Sequence, residues 1–411
     1  MNPTVVVGAS LAGMSAVQSI RAAGHHDEIV VVDPATSLPN DRPPLSKQVL
    51  AGDWELDRAT QSVAKQVADL DLDLRFGVSA TSLDAAAMTV TLSSGEALAA
   101  SGIVIATGSY ARTMDADVAG VHVVRTGADS LALRHDLDAG PGRVVVIGAG
   151  FIGAEVAATC RGRGLDVTMV EAAEWPLQRA LPGEIGRFVA DLHRANGVDL
   201  RLGVGIDSLR RDGDGRVAAV VLADGTEVEA SVVVVGIGAA PETGWLEGSG
   251  LELRPPSEGG GVLCDATTLA APGIVAAGDV AAWPNDHFGG ETMRVEHWEN
   301  AIDQGTHAGR RLVAEITGGE LGSVDPFSSV PWFWSDQYDA KIQMVGRPGP
   351  GDEVVVVDGS PSDGRFVALF RRGNTCRAAL GVNRPRLVMK SRMQLARSLD
   401  WESMVALFDE A

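Results

Sequence analysis

Short runs of β-branched and aliphatic residues, each closing on a glycine turn or an acid, dominate most of the chain. The clearest are 4–7, 29–33, 103–107, 143–147, 166–171, 232–236 and 274–277. They do not alternate with polar residues, so they predict strands buried on both faces, as in parallel sheets. Stretches with helical spacing lie between them and predict βαβ units in doubly wound sheets. Beyond about residue 322 the pattern changes. Short runs at 341–345, 353–357, 366–371 and 377–382 are separated by Gly, Pro and Asp turns, and helical stretches at 386–398 and 401–409 end the chain. This predicts a smaller α+β domain.

One unit occurs twice. VVVGASLAG (5–13) resembles VVVIGAGFIG (144–153), offset by about 140 residues. A helical stretch follows each, then a second strand ending in an acid, Asp33 in the first copy and Glu171 in the second. Two nucleotide-binding domains in one chain is the direct reading.

The second copy has the full G-x-G-x-x-G, Gly148-Ala149-Gly150-Phe151-Ile152-Gly153. Gly148 makes the tight turn, Gly150 lets backbone approach a pyrophosphate and Gly153 packs helix on strand. The helix N-terminus offers unpaired N–H groups to the phosphates. Glu171, 18 residues past Gly153, stands where a ribose 2′-OH is held. A 2′-phosphate would set anion against anion there, at a cost of about 1–4 kcal/mol at 4 Å, so NADH is expected over NADPH. The first copy, Gly8-Ala9-Ser10-Leu11-Ala12-Gly13, carries serine at the middle glycine, a small residue whose hydroxyl can donate to a phosphate. Asp33 supplies its ribose carboxylate. The strand ending in Gly278-Asp279 presents a carboxylate suited to the polyol chain of a flavin. Ala106-Thr107-Gly108 and Gly236-Ile237-Gly238 are further strand-end turns. In Arg42-Pro43-Pro44-Leu45-Ser46-Lys47, two prolines stiffen a loop that carries Arg42 and Lys47 toward bound phosphates or ring carbonyls.

Composition narrows the choice. The 411 residues are 45% hydrophobic and 21% charged, ordinary for a globular chain, and no apolar run approaches membrane-spanning length. The chain opens into a strand with no basic stretch, so no secretory signal is expected. Three cysteines, Cys160, Cys264 and Cys376, lie more than a hundred residues apart, with no C-x-x-C. That disfavours disulfide, dithiol and metal–thiolate chemistry and suits a reducing cytoplasm. The net charge of −20 argues against nucleic-acid binding. Yet from Arg371 to Ser398 there are eight basic residues and no acid. His193, His297 and His307 are isolated along the chain and read as ordinary packed or surface residues, and His25–His26 as a solvated loop.

Together GASLAG, RPPLSK, GAGFIGAEVA, GIGAAPET, AAGD and Pro331-Trp332-Phe333-Trp334-Ser335-Asp336-Gln337 resemble the FAD-dependent, NADH-using ferredoxin reductases over essentially the whole chain. These are glutathione-reductase-like two-dinucleotide-binding flavoproteins that feed Rieske oxygenases and haem-thiolate monooxygenases. The resemblance implies an FAD-binding domain at 1–113 and 243–321, an NAD-binding domain at 114–242 and a C-terminal domain at 322–411. It places Ala12, Asp33, Lys47, Ala80, Arg125, Asp279 and Trp298 on FAD, with Lys47 near the ring on the nicotinamide side. Glu155 would face the nicotinamide pocket and pair with Lys47, Glu171 would hold the NADH ribose, and Trp332 and Trp334 would lie between flavin and ferredoxin. A hydride would pass from NADH to FAD, and single electrons from FAD to a 2Fe–2S ferredoxin. An acidic ferredoxin would dock on a basic patch of the arginine-rich C-terminal stretch with Arg310 and Arg311. A monomer or weak homodimer is expected. Rubredoxin reductases, flavin-bound NADH oxidases or sensors and cysteine-dependent relatives share the outline. The last of these carry a redox cysteine in the loop that here reads RPPLSK.

Overall fold

The computed structural model describes residues 2–60, 70–114, 117–178, 181, 183–318 and 324–409. The chain divides into two compact units, Met1–Asp41 with Thr60–Tyr110 and Ala240–Pro331, and Arg42–Ala59 with Ala111–Ala239 and Trp332–Ala411.

In the first unit a sheet runs in the order Leu269–Ala271, Ile274–Ala276, Gly102–Ile105, Thr4–Val7, Ile29–Asp33, Asp73–Phe76. Its strands are parallel except at the Leu269–Ala271 edge. In register, Val5 faces Val30 and Ile103. Successive side chains of a strand point to opposite faces, and both faces here are buried. Val5, Val7, Val30, Val32 and Ile103 pack under a small antiparallel sheet through Leu83, Val90, Leu92 and Leu98. Val6, Val31, Val104 and Val275 pack on the other side with Val17, Ile20, Leu312 and Val313 from helices Leu11–Ala22 and Trp298–Ile316. Those helices meet on glycine: a Cβ on Gly305 would stand 2.3 Å from the Ala12 carbonyl oxygen, and one on Gly309 2.5 Å from that of Ala16.

The second unit repeats the plan. Its parallel sheet runs Asp199–Leu202, Val167–Glu171, Val144–Ile147, Val232–Val235, Val121–His122. Val145, Ile147, Val233 and Val235 pack on a three-stranded antiparallel sheet through Val220, Leu222 and Val228. Val144, Val146, Val232 and Val234 pack with Val156 and Cys160 of helix Phe151–Gly162 and with Leu45, Val49 and Leu50. The RPPLSK loop is therefore an anchored element, and Leu45 and Ser46 are almost fully buried. Helix Gly127–Asp138 begins at a capping box in which Thr126 and Asp129 bond each other's backbone.

The C-terminal part of this unit is a five-stranded antiparallel sheet, ordered Trp332–Gln337, Ala340–Gly346, Thr375–Val382, Arg365–Arg372, Glu353–Ser360. Four of these strands follow the sequence pattern, each longer by two or three residues, and the aromatic segment Trp332–Gln337 is the fifth. Phe366, Phe370, Leu380 and Ile342 pack with Ile185 and Val189 of helix Gly183–Ala195. Helices Pro385–Arg397 and Trp401–Asp409 end the chain.

Candidate functional site

In the first unit the motif forms a knot of backbone. Gly8 has φ +107°, a left-handed conformation open to glycine, and a Cβ there would stand 2.3 Å from the Ala106 carbonyl oxygen. A Cβ on Gly13 would stand 1.9 Å from the carbonyl oxygen of Gly8. Gly8, Gly13 and the Ala106-Thr107-Gly108 turn are thus locked together by the absence of side chains. Thr107 adds a bond from its hydroxyl to the Glu242 carbonyl, 2.8 Å. Ser10 caps the Leu11–Ala22 helix in extended conformation, and its side chain makes no capping bond. Asp33 accepts from the Ala9 amide at 2.7 Å and, through its other oxygen, from the Ala35 amide at 2.8 Å. Asp279 accepts from the Ser109 hydroxyl at 2.8 Å, and the preceding Gly278 amide donates to Gln304 at 2.9 Å. Trp298 begins its helix with the indole N–H 3.3 Å from Asp41. Ala80 opens the strand Ala80–Asp84 at the edge of the core.

The second unit builds the same knot. Gly148 has φ +94°, and a Cβ on it would stand 2.5 Å from the Gly236 carbonyl oxygen, while one on Gly153 would stand 2.1 Å from the oxygen of Gly148. Gly236-Ile237-Gly238 therefore occupies the place that Ala106-Thr107-Gly108 has in the first copy. Gly150 is different. It is extended, at φ −73° and ψ 179°, and a Cβ would meet only the Gly236 oxygen, at 3.8 Å. The protein itself does not require glycine at this corner, and Ser10 shows that the matching corner accepts a side chain. Glycine there leaves the helix N-terminus open to a close-lying phosphate. Glu171 accepts from the Ala149 amide and, through its other oxygen, from the Ala173 amide, both at 2.8 Å. Each carboxylate oxygen of Asp33 and Glu171 has further acceptor capacity, the fit a ribose diol needs.

Beside this knot the second unit gathers a polar cluster from three distant segments. Glu155, on the Phe151–Gly162 helix, is almost fully buried. Its Oε2 accepts from Lys47 Nζ at 2.9 Å and from Ser46 Oγ at 2.5 Å, and its Oε1 from Ser335 Oγ at 2.8 Å. Gln337 Nε2 donates in turn to Ser335 Oγ at 3.1 Å. Phe151 meets Phe333 edge to face, ring centres 4.5 Å apart. On the opposite face of the same strand Trp332 and Trp334 stack at 5.1 Å. Ile152 and Ile237 are exposed aliphatics flanking the glycine turn. Arg42 and Arg125 also belong to this unit, and the Arg125 amide donates to the Asp129 side chain at 3.1 Å.

Ser46, Ser335, Gln337 and His193 escaped the sequence reading. The signal for two of them was present: Phe333, Ser335 and Gln337 alternate with Trp332, Trp334 and Asp336 along one strand, so the two polar residues share a face. His193 is fully buried, with Nδ1 2.9 Å from the Tyr338 hydroxyl. His25, expected in a solvated loop, lies 3.3 Å from Thr4 Oγ1.

The thiols stand apart from this chemistry. Burial pushes Cys160, Cys264 and Cys376 up to about 12, so all three are protonated at neutral pH. Among the described residues no group of His, Cys, Asp and Glu could hold a metal ion, and no helix is long and apolar enough to cross a membrane.

The arginine-rich stretch divides. Arg377 is buried. Arg371 lies over the Trp401 ring, Arg372 pairs with Asp352 at 2.7 Å, and Arg384 pairs with Asp358. Arg386, Lys390, Met393 and Arg397 form an exposed stripe on a helix without acids. Arg310 is exposed in the first unit, whereas Arg311 pairs with Glu315 at 2.7 Å and bonds Thr267.

Comparison with known proteins agrees with this double construction. Residues 2–305 match the family model "Pyridine nucleotide-disulphide oxidoreductase" and residues 332–410 match "Reductase C-terminal". The chain is 37% identical to the anthranilate 1,2-dioxygenase system ferredoxin–NAD(+) reductase component of Burkholderia cepacia, over 96% of this chain and 94% of that protein. It is 35% identical to rhodocoxin reductase of Rhodococcus erythropolis, over 96% and 90%. The reductase in the crystal structure of the covalent putidaredoxin reductase–putidaredoxin complex superposes with a TM-score of 0.88 at 29% identity, covering 100% of this chain and 99% of that one. The chain belongs to the pyridine nucleotide-disulphide oxidoreductases, in the branch of ferredoxin reductases that use FAD and NAD(H).

Proposed function

We propose that this protein is an NADH:ferredoxin reductase that feeds an oxygenase. The observation that carries the reading is the duplicated dinucleotide knot with an amide-anchored carboxylate in each copy and no cysteine in the RPPLSK loop. Bound FAD supplies the step from hydride chemistry to one-electron chemistry. The chain's own residues bind, orient and discriminate. Ser10 and the Leu11–Ala22 helix N-terminus receive one pyrophosphate, and Gly150 with the Phe151–Gly162 N-terminus receives the other. Asp33 and Glu171 hold the two adenosine riboses, and the Glu171 anion disfavours a 2′-phosphate. Asp279, oriented by Ser109, takes a polyol hydroxyl. Lys47 and Glu155 face the nicotinamide end, where a buried ion pair fixes polar groups without freedom to reorganise.

The exposed stripe Arg386, Lys390 and Arg397 and the neighbouring stacked pair Trp332 and Trp334 are the docking surface we assign to an acidic 2Fe–2S ferredoxin. Three unbridged cysteines suit a cytoplasmic setting. The test is cytochrome c reduction by NADH with and without added ferredoxin. The reading requires strong dependence on ferredoxin, and equal rates in its absence would refute it.

A further inference from the structure

One face of one helix grips the loop that carries Lys47. Glu155, Thr159 and Arg163 follow one another at every fourth position along the Phe151–Gly162 helix and its C-cap, a spacing that lines side chains up on one face. Each holds the loop at a successive point. Glu155 Oε2 accepts from Ser46 Oγ at 2.5 Å and from Lys47 Nζ at 2.9 Å. Thr159 Oγ1 donates to the Ser46 carbonyl at 2.8 Å. Arg163 Nη1 donates to the Leu50 carbonyl at 2.8 Å, and its Nη2 pairs with Asp138. From the helix Gly127–Asp138, the buried Ser130 hydroxyl donates to the Leu45 carbonyl at 2.7 Å. Leu45 and Ser46 are themselves buried, so their carbonyls need partners. A donor from any element would serve that need. Here the donor on Ser46 stands one helical turn from the carboxylate that holds Lys47, so Lys47 is fixed by one helix at both its root and its tip.

We propose that Thr159 is a positioning residue, supported by Ser130, which fixes the backbone from which Lys47 springs and so keeps its ammonium at one place beside Glu155. The inference rests on the assignment of Lys47 to the nicotinamide end and extends it to hydroxyls that act through the loop's backbone. A lysine stem is flexible, so an ion pair at the tip leaves the position of the charge to the root. Small displacements of a group beside the reacting atoms are expensive in rate.

The test uses the FAD-loaded protein. Limited acetylation with acetic anhydride, read by peptide mass spectrometry, compares Lys47 with the exposed Lys341 and Lys390. Lys47 should be protected in the wild type. Loss of one hydrogen bond in Thr159→Val should raise its acetylation relative to those two lysines about three- to tenfold. Thr159→Ser, which keeps the hydroxyl, should restore the protection. In single turnovers at saturating NADH, Thr159→Val should slow flavin reduction about three- to tenfold while the NADH Kd stays within about twofold. In a Lys47→Met background the same substitution should change the rate by less than about twofold, since a residue acting through Lys47 then has nothing to position. Unchanged Lys47 acetylation in Thr159→Val, or equal slowing with and without Lys47, would overturn the proposal. Should Thr159→Val not fold, Ser130→Ala carries the same measurements with the same two outcomes. A wild-type flavin that NADH cannot reduce would instead refute the proposed function, and the acetylation ratio would still decide whether Thr159 holds Lys47.

Discussion

Asp33 and Glu171 stand at the same point of two copies of one unit, and each carboxylate is clamped by the same two amides. Asp33 holds Ala9 and Ala35, and Glu171 holds Ala149 and Ala173, all at 2.7–2.8 Å. One side chain is a methylene longer than the other, yet both end between the glycine turn and the residue two places on. Charge-assisted bonds from fixed amides hold each carboxylate in one orientation, the one the proposed function needs toward a ribose.

On the proposed function, Glu171 sets the choice of nicotinamide cofactor. Glu171→Ala should lower kcat/KM for NADH by about 10- to 100-fold, the loss of one or two charge-assisted hydrogen bonds. NADPH should lose less, because the repulsion of its 2′-phosphate is removed together with the anion. Steady-state kinetics with both cofactors measure the ratio.

The two glycines of the second turn should part company. Gly148→Ala places a Cβ against the Gly236 oxygen in a left-handed conformation and should cost about 1–3 kcal/mol of stability. Gly150→Ala meets only an atom 3.8 Å away. Its stability should stay within about 0.5 kcal/mol of wild type, while NADH binding weakens. Chemical denaturation and NADH titration of the two variants separate the effects.

The thiols should be silent. Cys160 and Cys376 are buried, Cys264 is half-buried and all three are protonated, so iodoacetamide at neutral pH should leave NADH-to-ferricyanide turnover unchanged while NADH is cycling. Loss of activity in step with alkylation would require a redox cysteine.

Ferredoxin docking should follow the exposed cations of the Pro385–Arg397 helix. The charge reversals Arg386→Glu and Lys390→Glu should raise the ferredoxin KM and flatten its salt dependence, with ferricyanide turnover unaltered. Reversal at Arg311, which is already paired with Glu315, should act mainly on stability.

His193 gives stability a pH dependence of definite sign. Its folded pKa is depressed from 6.5 to about 4 by burial. The unfolded chain therefore binds more protons between those values, and stability falls as pH drops through that window. The loss is about 3 kcal/mol in total, on the order of 1.4 per pH unit. Denaturant midpoints at several pH values should show a steep acid slope that His193→Gln flattens.

The doubly wound architecture was legible because its signals are local. A valine run, a glycine turn and an acid some twenty residues on appear twice, and both faces of each sheet are buried as those runs imply. The small antiparallel sheets that cover one face, such as Ala80–Asp84, were not legible, since a run like ATSLD has mixed polarity and little period. The polar cluster was only half visible. Lys47 and Glu155 followed from family resemblance, but Ser46, Ser335, Gln337 and His193 come from segments far apart in sequence, and no spacing rule joins them. His193 read as a bland histidine because its partner, Tyr338, sits at a hairpin tip 145 residues on.

On the proposed function, the flavin is a two-electron centre that works without thiols. Anaerobic titration of the purified yellow protein with NADH decides it. One NADH per flavin should bleach the spectrum completely, with no further uptake of electrons. A requirement for two equivalents, or a flavin that NADH leaves oxidised, would contradict it.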